Sequence, residues 1–346
     1  MHKAAILELG NGHTETIYSQ TLFLNSHNYE VHLIANKSHQ SRIKSFKTVD
    51  SFLYIDTDKN KIKQYYQIKK YLKYNNINIL VINTAAWSVI SFLPFMLFGV
   101  KIIGITHGLE KLRNSFSQKL LSLKIKKYFV LSEQLFDNAK KEFSLEFSYF
   151  YPMFFQKQGN IDLEKKRDEL WITIPGQLEY KRRDYISLIK NLPNYIPDSI
   201  KFIILGSCNN HDGHDFITKL KSKKIDKNFI FFDTFVDDKI FHNYLLKSDL
   251  ILPLPPYNSR YLNNAISGTY NLAYAYSKAQ LLPLHCEQIK DFSNKAIFYD
   301  ENDLYNLITK TEKLKAKILY IEKNLLSDTK LSLKYQSKKY VDFINN

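Results

Sequence analysis

Cysteine is nearly absent: Cys208 and Cys286 are the only two in 346 residues, with no CxxC spacing and no His/Cys cluster. This excludes a disulfide framework and a structural zinc site, and fits a reducing compartment. Long apolar runs are missing too. The best candidate, Trp87–Val100 (WSVISFLPFMLFGV), is too short to span a bilayer and is broken by Pro94. It reads as a core helix or as a helix lying at a membrane interface. Met1-His2-Lys3 runs straight into strand-like Ala4–Leu9, which leaves no room for a signal peptide, so a cytoplasmic protein is expected. Acidic residues number 34 against 49 basic ones, a net charge of +15. No zinc finger, RNP-like strand or Arg-rich segment accompanies that excess, which scattered lysines carry, so nucleic acid is not an expected partner. Anionic membranes and phosphorylated substrates remain. Ser115–Lys127 places Leu120, Leu121, Leu123 and Ile125 among Lys119, Lys124, Lys126 and Lys127, a pattern that suits a helix resting on anionic lipid as well as a solvated face.

Hydrophobic residues make up 45% of the chain, enough for real cores, and the length suits two domains. Apolar runs at Ala4–Leu9, Val31–Ile34, Ser51–Ile55, Ile79–Asn83, Lys101–Thr106 and Tyr128–Leu131 alternate with helix-length amphipathic stretches such as Thr16–Ser26 and Lys61–Tyr74. A charged stretch with Pro152 and Gly159 follows. The alternation then resumes at Leu170–Ile174, Phe202–Leu205, Phe229–Phe232, Leu250–Leu254, Gln280–Leu284 and Ala296–Phe298. The pattern predicts an α/β chain of two Rossmann-like domains, 1–155 and 168–325, closed by a C-terminal helix in 326–346.

Parallel sheets present ligands to the C-terminal ends of their strands, so the polar residues there are the candidates. The first strand ends in Gly10-Asn11-Gly12-His13-Thr14-Glu15, whose glycines admit a close backbone approach. The third glycine of the dinucleotide fingerprint is missing, and Ala35-Asn36-Lys37 stands where an acid would hold a ribose; a NAD enzyme is disfavoured. His107-Gly108 ends the fifth run, where His107 is placed to bond a hydroxyl or act as a base. In the second half, Gly176 follows the first strand, and Lys181-Arg182-Arg183-Asp184 is expected to begin the next helix, its cations suited to a diphosphate. Ser267-Gly268-Thr269 opens the helical run Tyr270–Ser277 with free N–H groups, hydroxyls and a positive dipole end, a setting for phosphate or a plain cap. His211-Asp212-Gly213-His214-Asp215 reads as a solvated loop. No Asp-x-Asp pair is assigned to a donor-binding loop, so no obligatory metal is expected.

The succession GNGH, ITHG, YFVLSEQ, IPGQLEYKRRDY, FIILGS and a late Ser-Gly-Thr helix resembles the GT-B glycosyltransferases, whose two Rossmann-like domains face across a cleft, and within them the family 4-like enzymes. The resemblance implies sugar transfer from a UDP- or GDP-linked donor to a lipid-linked or saccharide acceptor, in bacterial surface polysaccharide, lipopolysaccharide or capsule synthesis; the missing signal peptide and spanning helix and the basic excess add the expectation of a cytoplasmic enzyme that visits an anionic membrane. It implies donor contacts at Gly176, Lys181, Arg182, Ser267, Gly268 and Thr269, with Tyr270 or Asn271 near the ribose, and catalytic roles for His107, His13 and Glu15 beside the Gly10 and Gly12 loop. The sequence departs from the family where its two glutamates would stand, at Ala265 and Ala273, and carries Gln177 at the first basic position. A CDP-alcohol-dependent glycerophosphotransferase-like enzyme, a sugar-nucleotide epimerase and a non-catalytic nucleotide-binding subunit are the alternatives.

Overall fold

The computed structural model describes residues 2–58, 60–257 and 264–346. They form two compact units, one of residues 2–156, 264–266 and 329–346, the other of 157–257 and 267–328.

The first unit is a seven-stranded parallel sheet: β1 (His2–Glu8), β2 (Tyr29–Asn36), β3 (Ser51–Ile55), β4 (Ile79–Ile82), β5 (Lys101–Ile105), β6 (Lys127–Val130) and β7 (Glu146–Tyr149). Their order is β3-β2-β1-β4-β5-β6-β7. The strands are near-continuous apolar runs because helices cover both faces of such a sheet. The order reverses between β1 and β4, where Leu7 pairs with both Ile34 and Ile82. That topological switch sets Glu8 beside Asn83 at the strand ends, where open α/β sheets bind ligands.

The second unit repeats the plan with β8 (Leu170–Pro175), β9 (Ile200–Ser207), β10 (Phe229–Phe232), β11 (Leu250–Ile251), β12 (Ala279–Pro283) and β13 (Ala296–Tyr299), in the order β10-β9-β8-β11-β12-β13. Its switch lies between β8 and β11, so Gly176, which follows β8, stands at the equivalent position.

Four sequence expectations change. The helix Leu333–Asn345 is not a separate closing element: Tyr340, Val341 and Ile344 are buried in the first unit's core, and Tyr340 stacks on Phe129 at 4.6 Å. Trp87–Val100 forms two single-turn helices, Trp87–Ile90 and Leu93–Met96, because Pro94 lacks the N–H that a continuous helix needs. The edge strand β7 has no matching apolar run: Glu146 is exposed and Ser148 fills an inward position. His211–Asp215 opens the helix His211–Ser222 instead of forming a loop, with the Asn210 side chain capping Gly213 N–H at 2.8 Å.

Candidate functional site

In the first unit the site grows from Glu8. This carboxylate is fully buried at the end of β1, where Oε1 accepts the Gly10 N–H at 2.6 Å and Oε2 accepts from Asn83 Nδ2 and the Thr84 hydroxyl, both at 2.6 Å. Burial raises its pKa above the ordinary carboxylate value, against the pull of those three bonds. Asn83 uses its whole amide: Nδ2 also donates to His13 O at 3.0 Å, and Oδ1 accepts from the Thr16 hydroxyl and Gln20 Nε2, both at 2.6 Å. His39 Nε2 donates to Gly10 O at 2.7 Å, and Asn36 Nδ2 to Asn11 Oδ1 at 3.0 Å. The loop 10–14 is thereby held from β1, β2 and β4 together.

That loop delivers His13, in left-handed conformation with φ 64°, onto His107. The two rings stack at 3.6 Å and 18°. His107 Nε2 lies 2.7 Å from the Asn83 carbonyl. A carbonyl only accepts, so Nε2 carries the proton and Nδ1 the lone pair. Burial, reinforced by the adjacent His13, pushes the His107 pKa well below the imidazole range, so the ring is neutral at physiological pH. His13 Nδ1 meets Glu15 Oε1 at 3.3 Å, and both side chains are about half exposed. The sequence reading's three catalytic candidates, His107, His13 and Glu15, therefore come together: a neutral acceptor nitrogen beside a carboxylate–imidazole pair. Gly10 is fixed by Glu8 and His39, whereas a Cβ at Gly12 would meet nothing within 4 Å, so Gly12 borders open space.

Residues 264–266 strap this unit. Ala265 bridges Gly108, and Leu109 N–H donates to Asn264 O at 2.8 Å. Ala265 thus supports the turn that follows His107.

In the second unit Gly176 has φ +99°, and a Cβ there would lie 2.6 Å from Arg183 Nη2. At Gly206, on β9, a Cβ would sit 2.3 Å from the Gly176 backbone, so the two segments touch only because Gly206 has no side chain. Arg183 is buried under this turn. Its Nη2 donates to Pro175 O and, at 3.3 Å, to Thr269 Oγ1; Nη1 donates to Gln177 O at 3.1 Å. Lys181 and Arg182 are exposed, and among the described residues Arg182 pairs with Glu179 alone, at 3.9 Å. The cation built into the strand end is therefore Arg183, a neighbour of the two the sequence reading selected. The three basic residues do not begin a helix but precede the helix Tyr185–Asn191, which Asp184 caps.

Ser267 caps the helix Gly268–Ala275, its side chain accepting the Thr269 N–H at 3.4 Å. Thr269 is buried against Arg183, and a Cβ at Gly268 would meet nothing within 4 Å. Tyr270 is buried edge-on to Phe292 at 4.7 Å, so the expected ribose contact from Tyr270 gives way to core packing. Asn271 is buried, and its Oδ1 has no hydrogen-bond partner among the described residues. Ala273 is fully buried in the core, so no carboxylate stands on this helix. Asp212 accepts the Tyr180 N–H at 2.9 Å and Asp215 the Tyr180 hydroxyl at 2.6 Å, which makes the His/Asp cluster a brace for the loop after Gly176. Asp56-Thr57-Asp58 after β3, an Asp-x-Asp pair the sequence reading passed over, closes a local turn in which Asp56 accepts the Asp58 N–H at 3.2 Å.

Sequence reasoning missed Glu8, Asn83 and His39, and named Arg183 among the cations after Gly176 without selecting it. The three missed residues stand at or near a strand end, and that position was the available signal.

No protein-family model and no curated protein matches the chain. Solved structures do. A glycosyltransferase from Rickettsia africae is 13% identical over 99% of this chain and 98% of its own, with a TM-score of 0.70. HepE from Anabaena, solved with UDP-glucose, is 10% identical over the full length of both chains at 0.69. A Listeria monocytogenes protein assigned as a UDP-N-acetylglucosamine 2-epimerase is 12% identical over 100% and 96% at 0.66. At these identities the likeness is one of architecture: two parallel-sheet α/β units in the GT-B fold.

Proposed function

We propose that the protein is a glycosyltransferase, a divergent relative of the family 4-like enzymes, that moves a sugar from a nucleotide-diphosphate donor to an acceptor hydroxyl. The observation that carries the reading is Arg183, a cation buried beneath the Gly176 turn and bonded to Thr269 at a helix start. Burying a charge is costly, and here it gathers a fixed positive charge, the positive end of a helix dipole and the open backbone at Gly268 in one place. Such a site stabilises a departing diphosphate without reorganising. Lys181 and Arg182, exposed on the same turn, are placed to close on the phosphates, and Ser267 adds a hydroxyl. His107 offers Nδ1 as an acceptor for a sugar hydroxyl. His13 oriented by Glu15, or Glu15 itself, is the base that would take the acceptor's proton if the reaction inverts. HepE was solved with UDP-glucose, with UDP and with UDP and glucose, which favours UDP-linked donors and saccharide acceptors here as well. A lipid-linked or polysaccharide acceptor in a bacterial surface pathway fits the basic chain.

A second reading, a sugar-nucleotide epimerase, draws on the Listeria neighbour and on alanine at both glutamate positions. The test is a thermal-shift screen of UDP, GDP and CDP, followed by product analysis with UDP-sugars alone and with acceptors. A ligand at about 100 times its dissociation constant stabilises by about 2.7 kcal/mol. Stabilisation by UDP with acceptor-dependent turnover supports transfer. Isomerised donor without acceptor supports the epimerase, binding without turnover supports a silent subunit, and stabilisation by CDP alone overturns the UDP-sugar assignment.

A further inference from the structure

We infer that one face of the first unit is a docking surface for an anionic lipid bilayer. It is built from the helix Lys61–Tyr74, the short helices Trp87–Ile90 and Leu93–Met96, and the helix Phe116–Lys124. Direct contacts make it continuous: Lys61 Nζ reaches Ser88 O and Ser91 Oγ at 3.3 Å, Trp87 N–H donates to Gln118 Oε1 at 3.2 Å, and Lys124 Nζ lies 5.5 Å from the centre of the Phe98 ring.

Two independent features define the occupant. The first is apolar exposure: Phe98 is 79% and Phe116 83% exposed, joined by Ile62, Tyr66, Phe92 and Leu123. On the last helix and just beyond it, Phe116, Lys119, Leu123 and Lys126 recur at intervals of three and four, so apolar rings and cations share the outer stripe. The second is charge. Neither long helix contains an Asp or Glu, and Lys63, Lys69, Lys70, Lys73, Lys119, Lys124 and Lys126 enter no ion pair among the described residues. Lysine carries its charge on an apolar stem, so the stems lie along the acyl boundary while the amines meet headgroups. A protein partner fits less well, because lysine is depleted from protein interfaces. A second copy of the face would set lysine against lysine. The helix Thr311–Ser327 also exposes Leu319, Tyr320 and Leu326 among lysines, but Glu312 and Glu322 interrupt its charge. The inference is independent of the sugar-transfer reading.

The test is flotation of the full-length protein with vesicles of phosphatidylcholine alone and with about 30% phosphatidylglycerol, at low and high salt. Binding to the anionic vesicles is expected at least tenfold above neutral ones and falling with salt. Lysine near such a surface contributes about fivefold in partitioning, so Lys119→Glu/Lys124→Glu/Lys126→Glu should lower it by at least a hundredfold. Phe98→Ser/Phe116→Ser should lower it about tenfold or more while leaving the salt dependence in place. Lys313→Glu/Lys317→Glu, the same kind of charge change on the other unit, should have little effect. In the unmodified protein, brominated lipid should quench Trp87 fluorescence and spare the buried Trp171, a readout that no variant's folding can disturb. Equal binding to both vesicles, equal loss in the Lys313/Lys317 variant, or an unquenched Trp87 would overturn the inference. UDP affinity of the triple lysine variant keeps this result separate from the donor site.

Discussion

Replacing Arg183 with Met removes the charge and three hydrogen bonds while keeping most of the stem. The bond from Nη2 to the buried Pro175 carbonyl is charge-assisted and contributes about 1.5–3 kcal/mol. Gln177 is exposed, so water takes over its carbonyl and the loss there is about 0.5 kcal/mol. The Thr269 bond adds about 0.5–1 kcal/mol. A loss of about 2.5–4.5 kcal/mol follows, below the roughly 5–15 kcal/mol that a domain commands, so the variant folds. Its effect on ligand is separate: a unit charge acting over about 8 Å at an effective dielectric of about 20 is worth about 2 kcal/mol, or about thirtyfold in UDP affinity. Urea denaturation reads the first quantity and calorimetry with UDP the second. Arg182→Ala, on the exposed neighbour, should weaken UDP by about 1.5 kcal/mol with stability unchanged. Unaltered UDP affinity in folded Arg183→Met protein would remove the buried charge from the nucleotide site. Unaltered stability would mean that the Gly176 turn is not held as described.

His107→Ala should lower kcat about a hundredfold or more with UDP affinity nearly unchanged, and melting temperature measured on the same sample tells this from a structural loss. Because the His107 pKa is depressed, its ring signals in NMR should not titrate between about pH 5.5 and 8, and a midpoint near about 6.5 would refute the assigned protonation state. Glu8 is shifted the other way. Its raised pKa means that its contribution to stability is complete below the ordinary carboxylate value and is lost as pH rises through the raised one, so the stability difference between the native protein and Glu8→Gln should fall as pH climbs from about 4.5; a flat difference would contradict the burial assigned to it. Tyr340→Ala, which empties a fully buried site stacked on Phe129 and breaks the 3.1 Å bond to Gln20, should cost about 3–5 kcal/mol of first-unit stability in denaturant melts, whereas a loss below about 1 kcal/mol would mean that the C-terminal helix is not part of that core.

What the sequence determined by itself was whatever depends on near neighbours. Apolar runs separated by amphipathic stretches specify strands and helices locally, so Ser51–Ile55, Phe229–Phe232 and Lys61–Tyr74 fall where their periodicity puts them, and the doubled alternation fixes two parallel sheets. Strand ends rich in Gly, His and Thr likewise announce themselves. Tertiary structure decided the rest. Glu8 and Asn83 are 75 residues apart, and only the reversal of strand order between β1 and β4 turns two unremarked polar residues into the frame of the His13–His107 stack. The choice among Lys181, Arg182 and Arg183 rests on the path of one turn: a step of a single residue swings a side chain from solvent to the underside of Gly176, and no local propensity distinguishes three adjacent cations. Tyr270 reads as a helix-start ligand until Phe292 covers it. The last helix is amphipathic in any setting, but which core it completes was settled by where Phe23, Phe129 and Phe150 leave room for Tyr340, because an apolar stripe specifies that it must be buried and not against what.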